Sequence, residues 1–101
     1  MKTFEAGPRR FELGEVIVTT QAMAQLLALD REMAPTPHVQ ADWGDVGKED
    51  WRENNVSLQA GEKLLSVFKS LNGKVFYVLT DQDRSSTTIM LREEYQPQVC
   101  S

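Results

Sequence analysis

Histidine and cysteine each occur once in this sequence, at positions 38 and 100. A lone cysteine excludes an internal disulfide and any cysteine-based metal cluster, and a lone histidine leaves zinc without its usual imidazole and thiolate set. Long apolar runs are missing too. The longest, 16–18 and 75–79, fall far short of the roughly 20 residues of a membrane helix, and the N-terminus carries no signal-like apolar core. The chain therefore reads as a soluble, cytoplasmic protein with no membrane partner. Nor is there an excess of base, since 15 acids against 11 bases give a net charge of −4. Nucleic-acid binders draw much of their affinity from neutralised phosphates, so nonspecific nucleic-acid binding is not expected. A charge this mild does not suggest a DNA mimic either.

What is present is an ordinary globular composition, 41% hydrophobic and 26% charged over 101 residues, enough for one core and no more. Residues 1–10, with Gly7 and Pro8, read as a partly ordered arm, and residues 11–101 as a single α+β domain. Val16, Ile17 and Val18 form a short β-branched strand, after which Thr20 is placed to cap a helix over 21–30. In that helix Met23, Leu26 and Leu27 share a stripe expected to face the core. Pro35 and Pro37 are expected to end the helical run, so that His38 begins a new segment. A second helix is predicted over 48–60, started near Asp45 and closed by Gly61, with Trp51, Asn54, Asn55 and Leu58 on one face. Amides on such a face are costly unless bonded, so they either hold a neighbouring loop or meet a ligand.

Beyond Gly61 the hydrophobic period changes from 3.6 to 2. Residues 63–71 and 74–80 alternate around Asn72 and Gly73, a two-residue hairpin signal, and a polar turn at 81–85 leads to a third strand over 86–91. The layout predicts a two-layer α+β fold, with an antiparallel sheet of three to four strands and helices on one face.

Chemistry-bearing side chains cluster in the segment holding His38, Asp42, Trp43, Asp45, Glu49 and Asp50. Against a calcium-loop template Asp42, Gly47 and Glu53 take positions 1, 6 and 12, but Gly44 and Val46 fall where side-chain oxygens are required. No metal and no cofactor is therefore expected. One reading makes Asp42 and Asp45 caps, Trp43 a core plug and His38 a donor to a backbone carbonyl. The other places His38, Asp42, Trp43, Asp45 and Asn54 at a binding surface. Arg84, between Asp81, Asp83 and the hydroxyls of 85–88, either pairs with those acids or grips an anionic group. No glycine-rich phosphate loop accompanies it.

Read together, Phe11-x-Leu13-Gly14-x-Val16, His38, Asp42-Trp43-Gly44-Asp45, Glu49-Asp50, Asn54, Gly61-x-x-Leu64-Leu65-Ser66, Val78-Leu79-Thr80, Asp83-Arg84-Ser85-x-Thr87-Thr88 and Glu94-Tyr95 resemble a family of small, uncharacterised bacterial proteins borne on plasmids and other mobile elements. The resemblance spans residues 11–95. The chain departs from that pattern with Arg92 where a proline is usual, and with Pro35 and Pro37 in a stretch usually helical. The family has no established chemistry, so what it implies is context. Mobile elements carry small binding proteins that defeat host defence, and an anti-CRISPR or anti-restriction inhibitor of a host defence protein is the leading expectation. The competing one is a barnase-like ribonuclease, with His38 and either Glu49 or Asp45 as acid–base groups and Arg84 and Thr87 holding the phosphate.

Overall fold

In the computed structural model, which describes residues 10–95, the alternating segments beyond Gly61 form three antiparallel strands. β2 (Leu64–Lys69) pairs with β3 (Val75–Thr80), and β3 with β4 (Ser86–Leu91). Every second residue points inward, as the pleat requires: Leu64 and Ser66, then Phe76, Val78 and Thr80, then Thr87, Ile89 and Leu91 are buried. Their neighbours Leu65, Val67, Tyr77, Leu79 and Met90 share the opposite face and are half-buried. The first hairpin loop has three residues, 71–73, not the expected two, because Ser70 N–H closes it on the Lys74 carbonyl and Gly73 takes φ +88. Its tip is tied down by Asn72, whose amide donates to the Gln25 carbonyl, and by Leu71 N–H, which donates to Asp30.

The fourth strand, β1 (Glu15–Val18), adds to the outer side of β4 in parallel, giving the order β1-β4-β3-β2. The fold is α+β as expected, with a mixed sheet in place of a wholly antiparallel one. A β2-β3-β4 meander leaves one side of β4 unpaired, and the incoming chain fills it before crossing back through the helices.

Those helices are α1 (Thr20–Gln25), α2 (Ala28–Met33), α3 (Pro35–Val39) and α4 (Lys48–Ala60). The first is capped one residue earlier than anticipated, by the Thr19 hydroxyl accepting from Ala22 N–H. The single helix expected over 21–30 is broken at Leu26 and Leu27, both extended. The break resets the helical phase, so Met23 and Leu27 are exposed while Leu26 and Ala22 enter the core. The prolines do more than end a helix: α2 closes at Met33 just before Pro35, as expected, but Pro35 also opens α3, and His38 rides on that helix instead of beginning a new segment. The first turn of a helix needs no backbone donors, so prolines at its first and third positions remove nothing it uses. The stretch is helical, prolines included.

Ala22, Leu26, Ala34, Phe76, Val78, Ile89 and Leu91 form the core beneath α1 and α2, with Val18 and Phe68 packed against it. α4 instead runs along the outer edge of β2, ended by Gly61 at φ +76 as predicted and begun at Gly47, close to Asp45. There the Asn54 side chain imitates a strand, accepting from Leu65 N–H (3.1 Å) and donating to the Leu65 carbonyl (2.8 Å). Two residues on, Val67 N–H donates to Trp43 O and Asp45 N–H to Val67 O. The β2 edge is thereby closed. Gly44 lies between these bonds at φ +76, and a Cβ there would strike the Val67 carbonyl and the Phe68 ring. Replacing Asn54 by Asp removes the donor and sets a carboxylate against the Leu65 carbonyl. The expected loss is about 1–3 kcal/mol by urea titration, and an unchanged midpoint would show that the edge is held by other contacts.

Among the described residues no helix is long and apolar enough to cross a membrane. The arm expected at 1–10 lies almost wholly outside the described residues, as does Cys100. Phe11 and Leu13 beside it join the site described next.

Candidate functional site

The inward face of a sheet is normally apolar, yet Ser66 on β2, Thr80 on β3 and Thr87 on β4 put hydroxyls there, all fully buried. The register makes Thr80 and Thr87 direct partners and sets Ser66 opposite Val78, one pleat away. Over them α3 lowers His38, itself 0% exposed. Its Nδ1 lies 2.6 Å from Ser66 Oγ and its Nε2 2.8 Å from Thr80 Oγ1. Thr80 Oγ1 is 2.7 Å from Thr87 Oγ1, which donates to the Leu13 carbonyl at 2.8 Å.

That last bond fixes the direction of all the others. A carbonyl can only accept, so the Thr87 proton points to Leu13, and Thr87 Oγ1 must accept from Thr80. Thr80 Oγ1 then accepts from His38 Nε2–H, leaving Nδ1 bare to accept from Ser66. The result is one continuous chain of donors, from Ser66 through His38, Thr80 and Thr87 to Leu13. Each buried polar atom has a partner, and His38 is a neutral imidazole with its proton on Nε2. Burial, and after it the positive charge of Arg84, pushes the His38 pKa down to about 3.

Aromatic rings seal the imidazole. Phe11 meets it edge-on at 5.2 Å and Trp43 at 5.6 Å, while Phe11 and Trp43 stack at 6.2 Å. Trp43 is fully buried, and its Nε1–H donates to Asn55 at 3.1 Å, so the second amide of α4 holds the tryptophan as the first holds β2. Trp51 is only half-buried. Arg84 closes the outside, its guanidinium 5.5 Å over the Phe11 ring and its Nη1 donating to the Glu62 (2.7 Å) and Asp81 (3.1 Å) carbonyls. It does so from φ +59, a backbone state uncommon outside glycine. Gly14, beside it at φ +66, packs directly on the Ser85 backbone.

The structure thus joins His38, Trp43 and Arg84, with Asn54 nearby on the β2 edge, but mostly behind the surface: His38, Trp43 and Asn54 are buried and Arg84 half-buried. Asp42 and Asp45 are exposed. Asp42 accepts from Gly44 N–H as a turn residue, as one of the two sequence readings had it. Three details differ from that reading. His38 bonds hydroxyls instead of a carbonyl, Asp45 does not cap α4, and Arg84 pairs with carbonyl oxygens instead of the Asp81 and Asp83 carboxylates; Asp83 bonds Ser85 instead. Of the proposed ribonuclease set, Thr87 is buried with its proton given to Leu13, and Glu49 is exposed on the first turn of α4. Sequence reasoning had not joined Phe11, Ser66 and Thr80 to this cluster, although hydroxyls at three inward strand positions were its visible signal. No group of three or more His, Cys, Asp or Glu side chains that could hold a metal occurs among the described residues.

Comparison with protein-family models, with curated proteins and with solved structures finds no match. The reading of this site therefore rests on its geometry. A serine within 2.6 Å of an imidazole could be a nucleophile beside its base, but both are fully enclosed, which keeps a substrate from the serine oxygen. What the arrangement does is lock the N-terminal segment, α3 and three strands together through one polar chain, with the 43–45 segment held against it by the packing of Trp43.

Proposed function

We propose that this protein acts by binding another macromolecule, a cytoplasmic host defence protein that it inhibits on behalf of a mobile element, as anti-CRISPR and anti-restriction proteins do. The observation that supports binding over catalysis is the enclosure of His38: both ring nitrogens are engaged and no atom is exposed. A ribonuclease of the barnase-like kind needs a general base within reach of a scissile phosphate. His38 offers neither access nor a basic nitrogen near neutral pH, and Arg84 Nη1 is committed to two carbonyls. The side chains of the same motif that do face solvent are the carboxylates Asp42 and Asp45, acceptors suited to a basic protein surface. The mobile-element setting comes from the family resemblance of the sequence.

Purified protein incubated with total RNA is expected to leave it intact. In cells, its expression should raise the transformation efficiency of a plasmid targeted by a restriction or CRISPR system, and Asp45→Lys, at an exposed carboxylate, should remove that effect without lowering the melting temperature. RNA cleavage that disappears in His38→Ala would overturn the proposal, as would unchanged efficiency against every defence system tried.

A further inference from the structure

Between α4 and the half-buried outer face of the sheet lies a cleft of about 280 Å³. The tethers of the β2 edge set its position: Asn54 fastens the middle of α4 to Leu65, and Asp45 N–H fastens the segment before α4 to the Val67 carbonyl. Leu65, Val67 and Tyr77, the cross-strand partner of Val67, make an apolar floor, with Val46 at one end. The helix wall is acidic. Asp50 and Glu53 line it, three residues apart on α4 and both exposed. Hydrogen bonds among the described residues engage only Asn54 and Asn55 of the α4 side chains, so neither carboxylate has a partner there. Residues three apart on a helix are neighbours, and their like charges repel until a cation stands between them. The surroundings have the same sign: residues 42–53 hold five acids against two bases, three of the chain's four net negative charges.

We propose that this cleft receives an arginine side chain of the protein partner, its stem along Leu65 and Val67 and its guanidinium between Asp50 and Glu53 against the Tyr77 ring. The assignment rests on the binding function put forward above and names the group by which that partner is recognised. Charge and size together select the occupant. A hard metal ion takes about six oxygens, and among the described residues no group of three or more His, Cys, Asp or Glu could hold one. Sites for drug-sized molecules run from about 300 to 1,000 Å³, so this cleft suits one long side chain. An apolar floor beneath carboxylates matches a side chain with an apolar stem and a charged head. Arginine fits better than lysine, because a planar guanidinium has donors on two edges for two carboxylates and stacks on an aromatic face, where an ammonium is one hydrated point. The Tyr77 ring is held for this by Tyr95, edge-on at 5.2 Å. Lys63 lines the opposite end, two residues before Leu65, and its charge confines the guanidinium to the end near Val46 and Asp50.

The probe is the capped tripeptide acetyl-Gly-Arg-Gly-amide, titrated into the isotope-labelled full chain and followed by nuclear magnetic resonance. One side chain alone should bind in the millimolar range, moving the Leu65 and Val67 amides and the Asn54 side-chain amide, and more weakly as salt rises. Citrulline in place of arginine keeps the shape without the charge and should weaken binding at least about tenfold. Asp50→Asn with Glu53→Gln should do the same at an unchanged melting temperature, since both positions are exposed. Tyr77→Phe keeps the ring and should keep the binding, whereas Tyr77→Leu should lose it. Equal binding of the citrulline peptide, binding that survives the double carboxamide variant, or no shift at these amides would overturn the proposal. The plasmid assay is read separately. A chain that protects plasmids without binding the arginine peptide loses this site and keeps the inhibitor function, and one that binds the peptide without protecting loses the inhibitor function and keeps the site.

Discussion

Acidification from pH 6.5 toward pH 3 is expected to destabilise the protein by about 1.4 kcal/mol per pH unit through His38 alone. The sign follows from which state takes the proton. In the unfolded chain the imidazole titrates at its ordinary value of 6.5, and in the folded protein at about 3. Above pH 6.5 it is neutral in both states and has no effect. Below that pH the unfolded chain binds a proton that the folded one refuses, so stability falls steadily until the folded imidazole is itself protonated. The structural reason is the directed hydrogen-bond chain. A proton added to Nδ1 would point at the Ser66 hydroxyl that already donates to it, inside a cage of Phe11 and Trp43. Because the chain holds one histidine, its ring resonances need no assignment. They should stay at the neutral, Nε2-protonated position between pH 8 and about 4. Titration near 6.5 would refute the enclosure, and a neutral ring with its proton on Nδ1 would refute the bond directions.

Replacing Trp43 with alanine should remove about 3–5 kcal/mol, a large part of the 5–15 kcal/mol that holds a small domain folded. The indole is fully buried, stacks on Phe11, walls the imidazole and donates to Asn55. Its carbonyl bond to Val67 is backbone and survives the substitution, so the fold is expected to persist, weakened. Water admitted to the cavity would solvate His38. In Trp43→Ala the folded-state pKa should therefore rise toward 6.5, and the acid slope should shrink. Chemical denaturation at pH 7 and pH 5 measures both effects. A loss below about 1 kcal/mol would show that Trp43 is not part of the core. An unchanged acid slope would show that something else shields His38.

Elements whose cause is local can be read from the residues alone. Alternation over 64–69, 75–80 and 86–91 makes strands because each face meets a different medium, and α4 with Gly61 beyond it is legible because a left-handed closing residue is a property of glycine. Part of the buried cluster and its flank was legible as well: His38, Trp43, Asn54 and Arg84 stood out by type, while Phe11, Ser66 and Thr80 did not. The roles of those four were not legible. Whether a histidine is a base or a core acceptor depends on what lies across the sheet, and Ser66 and Thr80 are 28 and 42 residues away in the chain. Asn54 could have faced a ligand, and only the approach of β2 turned it into a substitute strand. Pro35 and Pro37 read as terminators because, viewed locally, a missing N–H breaks a helix. Tertiary structure set them in the first turn of α3, where that N–H has no partner to lose. The parallel joining of β1 to β4 was likewise decided only by the fold, since it pairs residues about 71 positions apart, and nothing within a four-residue strand specifies the direction of its neighbour.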